Sequence, residues 1–213
     1  FHCPRVFRQQ LGLAVASAAP TEPIRVVEVG GYIGDCLLWA AAWLGPERVR
    51  ALEVEPVVSA TSRLAQSLDK NGLAGAVDVR TMAVGDGAGL ASKTGAFETP
   101  SFTVSACGRR GRRSGCARLQ TLDEVLDGWS GLPAGASIDL VRIKINQGKE
   151  PMVVAGLIRH LATSRVRRLL VHTPPFAAKA IEEALAVLPQ YRHERHPTRG
   201  SVNIVLLLTL VER

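Results

Sequence analysis

Residues 24–35 read IRVVEVGGYIGD, and this stretch decides the fold. β-branched and apolar residues fill 24–29, interrupted by Glu28, and the run stops at Gly30-Gly31. Gly34 follows, and then an apolar, alanine-rich segment, 36–44, suited to a helix. The order is strand, glycine loop, helix. Glycines at such a junction let a ligand approach the backbone and set it at a helix N-terminus. The spacing is E-x-G-x-x-x-G. It departs from the dinucleotide fingerprint G-x-G-x-x-G, whose later glycines would fall on Tyr32 and Asp35.

A second acidic landmark extends the pattern. Residues 48–54, RVRALEV, run into Glu55-Pro56. In a doubly wound fold, an acid at the tip of the second strand lies beside the first glycine loop. There it can accept hydrogen bonds from both ribose hydroxyls of an adenosine-type ligand. Glu53 reads as a solvated acid on the other side of the strand end.

The rest of the chain alternates. Strands are predicted at 24–29, 48–54, 76–82, 137–145, 167–172, 190–195 and 202–210. Helices are predicted at 35–44, 57–71, 121–129, 149–163 and 175–188. Such alternation predicts an α/β fold with a doubly wound, mostly parallel seven-stranded sheet. The last two strands have no helix between them, only a turn signal at 197–200, so they predict an antiparallel C-terminal hairpin. Thr121 with Glu124 three residues on is a capping-box pattern at a helix start. Residues 85–118 read as an irregular insertion with room for a small hairpin on the side of the ligand crevice.

At 213 residues the chain reads as one domain, 1–213. It starts at Phe1, so a fragment of a longer protein is expected, with compartment left open and the cytoplasm as the default. No apolar run is long enough to span a bilayer. The net charge of +7 is uneven, with clusters at Arg109, Arg110, Arg112, Arg113 and at Arg165, Arg167, Arg168. Basic clusters invite a nucleic-acid partner. No aromatic residue interleaves with them, so a solvated loop is the preferred reading. The cysteines at 3, 36, 107 and 116 form no C-x-x-C pair and show no metal-ligand spacing, so no metal is expected. Cys36 reads as a buried, inert thiol. Cys107 and Cys116 bracket a loop and would pair only in an oxidising compartment.

Taken in order, EVGGYIGD at 28–35, LEVEP at 52–56, LDKNGL at 68–73, MAVGDGAG at 82–89, LQTLDEVLD at 119–127 and IDLVRIKINQGKEPMVVAGL at 138–157 resemble the FkbM family of S-adenosylmethionine-dependent methyltransferases. The resemblance covers roughly residues 24–157. It implies a class I, Rossmann-like fold that binds S-adenosyl-L-methionine and methylates a hydroxyl of a small molecule or glycan by in-line displacement. It implies cofactor contacts at Glu28, Gly30, Gly31, Tyr32, Gly34, Glu55 and Ala83. The family reads K-I-D-V-E-G-A-E at the fourth strand, where this chain has Lys144-Ile145-Asn146-Gln147-Gly148-Lys149-Glu150. Asn146 and Gln147 thus take the acceptor-side place with amides instead of acids, and an amide cannot act as a carboxylate base. A catalytically weak binding domain of the same fold is therefore the alternative. His172, at the end of the fifth strand, is a candidate acid/base or polar wall. HTPPF at 172–176 superficially resembles the N/D-P-P-Y/F motif of nucleic-acid amino-methyltransferases, with Thr173 in the polar place. Proline in a first helical turn explains it adequately.

Overall fold

Alternating side chains give the first strand two buried faces. In β1 (Ile24–Val29), Ile24 and Val26 enter one apolar layer, and Val27 and Val29 enter the other. The computed structural model describes residues 3–87, 89–94, 101–104, 116–145, 148–198 and 203–211. β1 pairs in parallel with β2 (Val49–Val54) on one side and with β8 (Leu140–Ile143) on the other. Beyond β2 lies β3 (Val77–Arg80), and beyond β8 lies β9 (Arg168–Thr173), both parallel. β11 (Ile204–Leu210) runs antiparallel to β9 and to β10 (Tyr191–Pro197), and sits between them. The expected C-terminal hairpin is present, with its second strand inserted inward. In the outer strand, β10, only Tyr191 is buried, the later positions are exposed or half-buried, and the strand ends at Pro197, which suits an edge.

Helices cover both faces. α1 (Arg5–Ser17), α2 (Asp35–Leu44) and α3 (Val58–Lys70) share the layer that holds Phe7, Leu37 and Leu64. α4 (Leu122–Asp127), α5 (Glu150–Ala155), α6 (Ile158–Ala162) and α7 (Pro175–Leu185) share the layer with Leu126, Val154 and Ile181. α1 was not expected. Its signal is Phe7, Leu11 and Ala14 at helical spacing, all fully buried. The helix expected at 149–163 is two short ones, because Gly156 caps α5. α2 is apolar nearly all round, and its outer side carries Trp39 stacked on Trp43 at 5.1 Å.

A second sheet, in the order β4-β7-β5-β6, is built from β4 (Ala83–Gly85), β5 (Gly89–Thr94), β6 (Ser101–Val104) and β7 (Cys116–Thr121). Within the stretch read as irregular, β5 and β6 thus form an antiparallel pair. The capping box is present at α4: Thr121 Oγ1 accepts from Glu124 N–H, and Glu124 Oε2 accepts from Thr121 N–H. Thr121→Ala is expected to cost about 1 kcal/mol in a denaturant melt. A loss below a few tenths would show that the cap is immaterial.

Candidate functional site

The glycine loop is fixed by what its amides donate to. Gly30 N–H donates to Val54 O at 2.9 Å, bringing the loop across the end of β2. Gly31 N–H donates to Glu53 Oε1 at 2.9 Å, and Tyr32 N–H to Glu55 Oε2 at 3.1 Å. Gly34 adopts φ 70°, a left-handed N-cap of α2 that a side chain would strain. Tyr32 itself has φ 60° and is 44 % exposed, so its ring stands out beside the loop.

Glu53 and Glu55 are two apart and share a side of β2, because the side-chain period of a strand is two. The reading of Glu53 as a solvated acid is corrected here: it is fully buried. Burial pushes its carboxyl well above the ordinary range, and the nearby Glu55 adds to the rise. Glu55 is also buried, and burial raises it, against hydrogen bonds from Val57 and Tyr32. Its Oε1 accepts from Val57 N–H at 2.9 Å. Each carboxylate oxygen keeps a second lone pair, so Glu55 retains capacity for two further donors.

Glu28 does not need an outside cation. It is fully buried and ion-paired with Arg142, its register partner on β8. Arg142 Nε–H donates to His172 Nε2 at 3.4 Å, and the guanidinium lies 6.0 Å from the ring centre of Phe7 on α1. Burial pulls Arg142 down to about 10, which leaves it charged at neutral pH. Burial, with Arg142 and Lys144 nearby, pushes His172 down to about 3, so its imidazole is neutral and accepts from Arg142. His172 therefore sits within the layer covered by α1, 7 % exposed. An arginine inside the apolar run 140–143, opposite an acid in 24–29, was a readable signal that sequence reasoning missed.

Asn146 and Gln147 lie outside the described residues. Just beyond them, Glu150 at the start of α5 is fully buried. Its Oε2 accepts from Thr173 Oγ1 at 3.3 Å, its Oε1 has no partner among the described residues, and burial pushes it up to about 7. Ala83 is 7 % exposed and packs with Ala117 and Leu119. The arginines at 109, 110, 112 and 113, and Cys107, lie outside the described residues. Arg165 and Arg167 are engaged locally, Arg165 with Ala136 O and Pro133 O and Arg167 with Asp139. Cys36 is not an inert thiol: it forms a disulfide with Cys3, which ties the second residue of α2 to the start of α1. A sequence without neighbouring cysteine spacing could not reveal this pairing, since α1 itself was not foreseen.

Counting only its own strands in chain order, the large sheet runs 3-2-1-4-5-7-6, with the seventh antiparallel. With the glycine loop after the first strand and acids at the tip of the second, this is the fold of the class I methyltransferases. Three solved structures share it. FkbM methyltransferase from Methylobacillus flagellatus superposes with a TM-score of 0.60 at 13% identity, over 91% of this chain, which spans 45% of that protein's length. The O-methyltransferase TomG from Streptomyces achromogenes, involved in tomaymycin synthesis and solved with S-adenosylmethionine, gives 0.57 at 14% identity, over 100% of this chain and 82% of its own. An O-methyltransferase, described as such by inference, from Klebsiella pneumoniae gives 0.58 at 14%, over 99% and 83%. No protein-family model and no curated protein sequence matches the chain.

Proposed function

We propose that this chain is a single methyltransferase domain, 1–213, which uses S-adenosyl-L-methionine to methylate a hydroxyl of a small molecule or glycan. The observation that carries the reading is the glycine loop hydrogen-bonded to Glu53 and Glu55 at the tip of β2, on this fold. The residues fit the cofactor. Gly30, Gly31 and Gly34 open the backbone for the amino-acid moiety, and Tyr32 forms a wall beside it. Glu55 has two acceptor positions left for the ribose hydroxyls. Ala83 follows β3, the position this reading gives to the adenine through its backbone, and its side chain packs with Ala117 and Leu119. Glu28 contributes through Arg142 and not through direct charge on the ligand. When bound, the sulfonium supplies an electrophilic methyl group. The chain's own work is to orient the acceptor oxygen and exclude water, with the amides Asn146 and Gln147 holding the acceptor hydroxyl.

The alternative, a domain that binds the cofactor with weak turnover, draws support from those amides and from His172, whose neutral ring is tied to Arg142. A nucleic-acid acceptor draws less: Thr173 of HTPPF is fully buried and bonded to Glu150. No helix among the described residues is long and apolar enough to cross a membrane. The Cys3–Cys36 disulfide favours an oxidising setting over the cytoplasm.

Calorimetry with S-adenosylhomocysteine tests the reading. The wild type should bind, and Glu55→Ala should bind at least about tenfold more weakly, since two charge-assisted hydrogen bonds of about 1.5–3 kcal/mol each are lost. A folded wild type that does not bind overturns the cofactor; a folded Glu55→Ala that binds equally well removes Glu55 from the site.

A further inference from the structure

Two carboxyl groups lie beside the same point at Gly31. Glu28 and Glu53 are register partners on β1 and β2, and both are fully buried. Their first oxygens are occupied: Glu28 Oε1 by Arg142 and Glu53 Oε1 by the Gly31 N–H. Their second oxygens, Glu28 Oε2 and Glu53 Oε2, are both buried without a hydrogen-bond partner among the described residues. A Cβ placed on Gly31 would stand 2.5 Å from Glu53 Oε2 and 2.7 Å from Glu28 Cδ, so both carboxyl groups crowd one point. This is also why the position is glycine. A lone orphaned oxygen in a core costs free energy, and two side by side cost more, through repulsion. One proton removes both penalties.

We propose that Glu53 is a positioning residue of the glycine loop, neutral in the folded protein, accepting the Gly31 N–H with one oxygen and donating its own proton to Glu28 with the other. The proposal rests on reading that loop as the cofactor loop. Glu28 is the charged member, because Arg142 holds it, and Glu53 pairs with no cation among the described residues. Burial, which lifts the Glu53 carboxyl, agrees with this assignment. The surrounding groups agree too. Glu55, at the end of β2, is a like charge that disfavours a third anion. His172 on β9 is neutral and engaged by Arg142. Lys144, past the end of β8, and Asp35, at the start of α2, are further charges in this region and interact with one another. α1 presents the apolar ring of Phe7. Two carboxyl groups sharing one proton titrate as a pair, the second ionisation being strongly delayed. Ionising Glu53 sets two carboxylates against each other under Gly31 and weakens the seat of the loop. The bound conformation should then fade as pH rises above the ordinary carboxylate range.

The test uses Glu53→Gln, which keeps the carbonyl for Gly31 and an N–H for Glu28 but cannot ionise. Affinity for S-adenosylhomocysteine is measured by calorimetry from mildly acid to alkaline pH. In parallel, protection of the Gly31 amide against hydrogen exchange, corrected for the intrinsic pH dependence of exchange, is measured without ligand. The wild type should lose affinity at least tenfold, and Gly31 protection with it, as pH rises. Glu53→Gln should stay within about threefold of the wild type's acid-side affinity and remain flat in both measurements. A wild type as flat as Glu53→Gln overturns the shared proton, and so does a Glu53→Gln that retains the wild-type decline. If the wild type does not bind S-adenosylhomocysteine at any pH, the cofactor reading falls, and the exchange measurement alone still decides for or against the shared proton.

Discussion

Replacing Arg142 with Met is expected to destabilise the fold by about 3–5 kcal/mol, because it leaves Glu28 buried without its cation. Both partners are almost wholly out of solvent, Arg142 4 % exposed and Glu28 fully buried, so water cannot take over the lost charge. Glu28 must then stay charged without a partner or take up a proton, and each route costs free energy. Changing both residues to apolar ones, Arg142→Met with Glu28→Leu, should recover most of the loss, since a buried ion pair and a well-packed apolar pair are often of similar stability. Urea melts of the single and double variants make the comparison. Equal losses in the two would show that the cost lies in packing, including the contact with Phe7, and not in the unpaired charge.

Opening the Cys3–Cys36 disulfide should cost about 3–4 kcal/mol. The bond closes a loop 33 residues in sequence separation, and the unfolded chain regains roughly that much freedom when it is cut. In a domain of this size the midpoint of thermal unfolding should fall by about 10 °C. Melting the oxidised protein beside the same protein in a phosphine reductant gives the number, with the free thiols counted by mass spectrometry. All four cysteines counted as free thiols and an unmoved midpoint would mean that α1 is held by Phe7, Leu11 and Ala14 alone. Cys3→Ser should reproduce the reduced value.

The parts of the fold that were legible in the sequence are those set by local periodicity. β1, the glycine loop and α2 appear where IRVVEVGGYIGD and the apolar segment after it place them, and the capping box at Thr121 forms as its spacing requires. The inward insertion of β11 was not legible, because a turn signal shows that two strands pair and not which third strand they join. The site divides the same way. Glu55 and the glycines are local landmarks, and the structure places them together. Glu53, Arg142 and the disulfide depend on register between distant strands and on a helix, α1, whose three apolar positions were overlooked. Burial then altered the chemistry of the acids. Glu53 looks like any surface glutamate in a sequence, and only the layer above it makes it a candidate proton donor.

The stacked indoles of Trp39 and Trp43 have a spectroscopic consequence. They sit on the helix that continues the glycine loop, 5.1 Å apart, close enough for their electronic transitions to couple. The remaining tryptophan, Trp129, is buried in the layer on the other face of the sheet. The circular dichroism of this chain is therefore expected to carry an indole exciton couplet, at the intense short-wavelength indole band, from α2. Fraying of that helix would be visible as loss of the couplet, with no dye and no label attached.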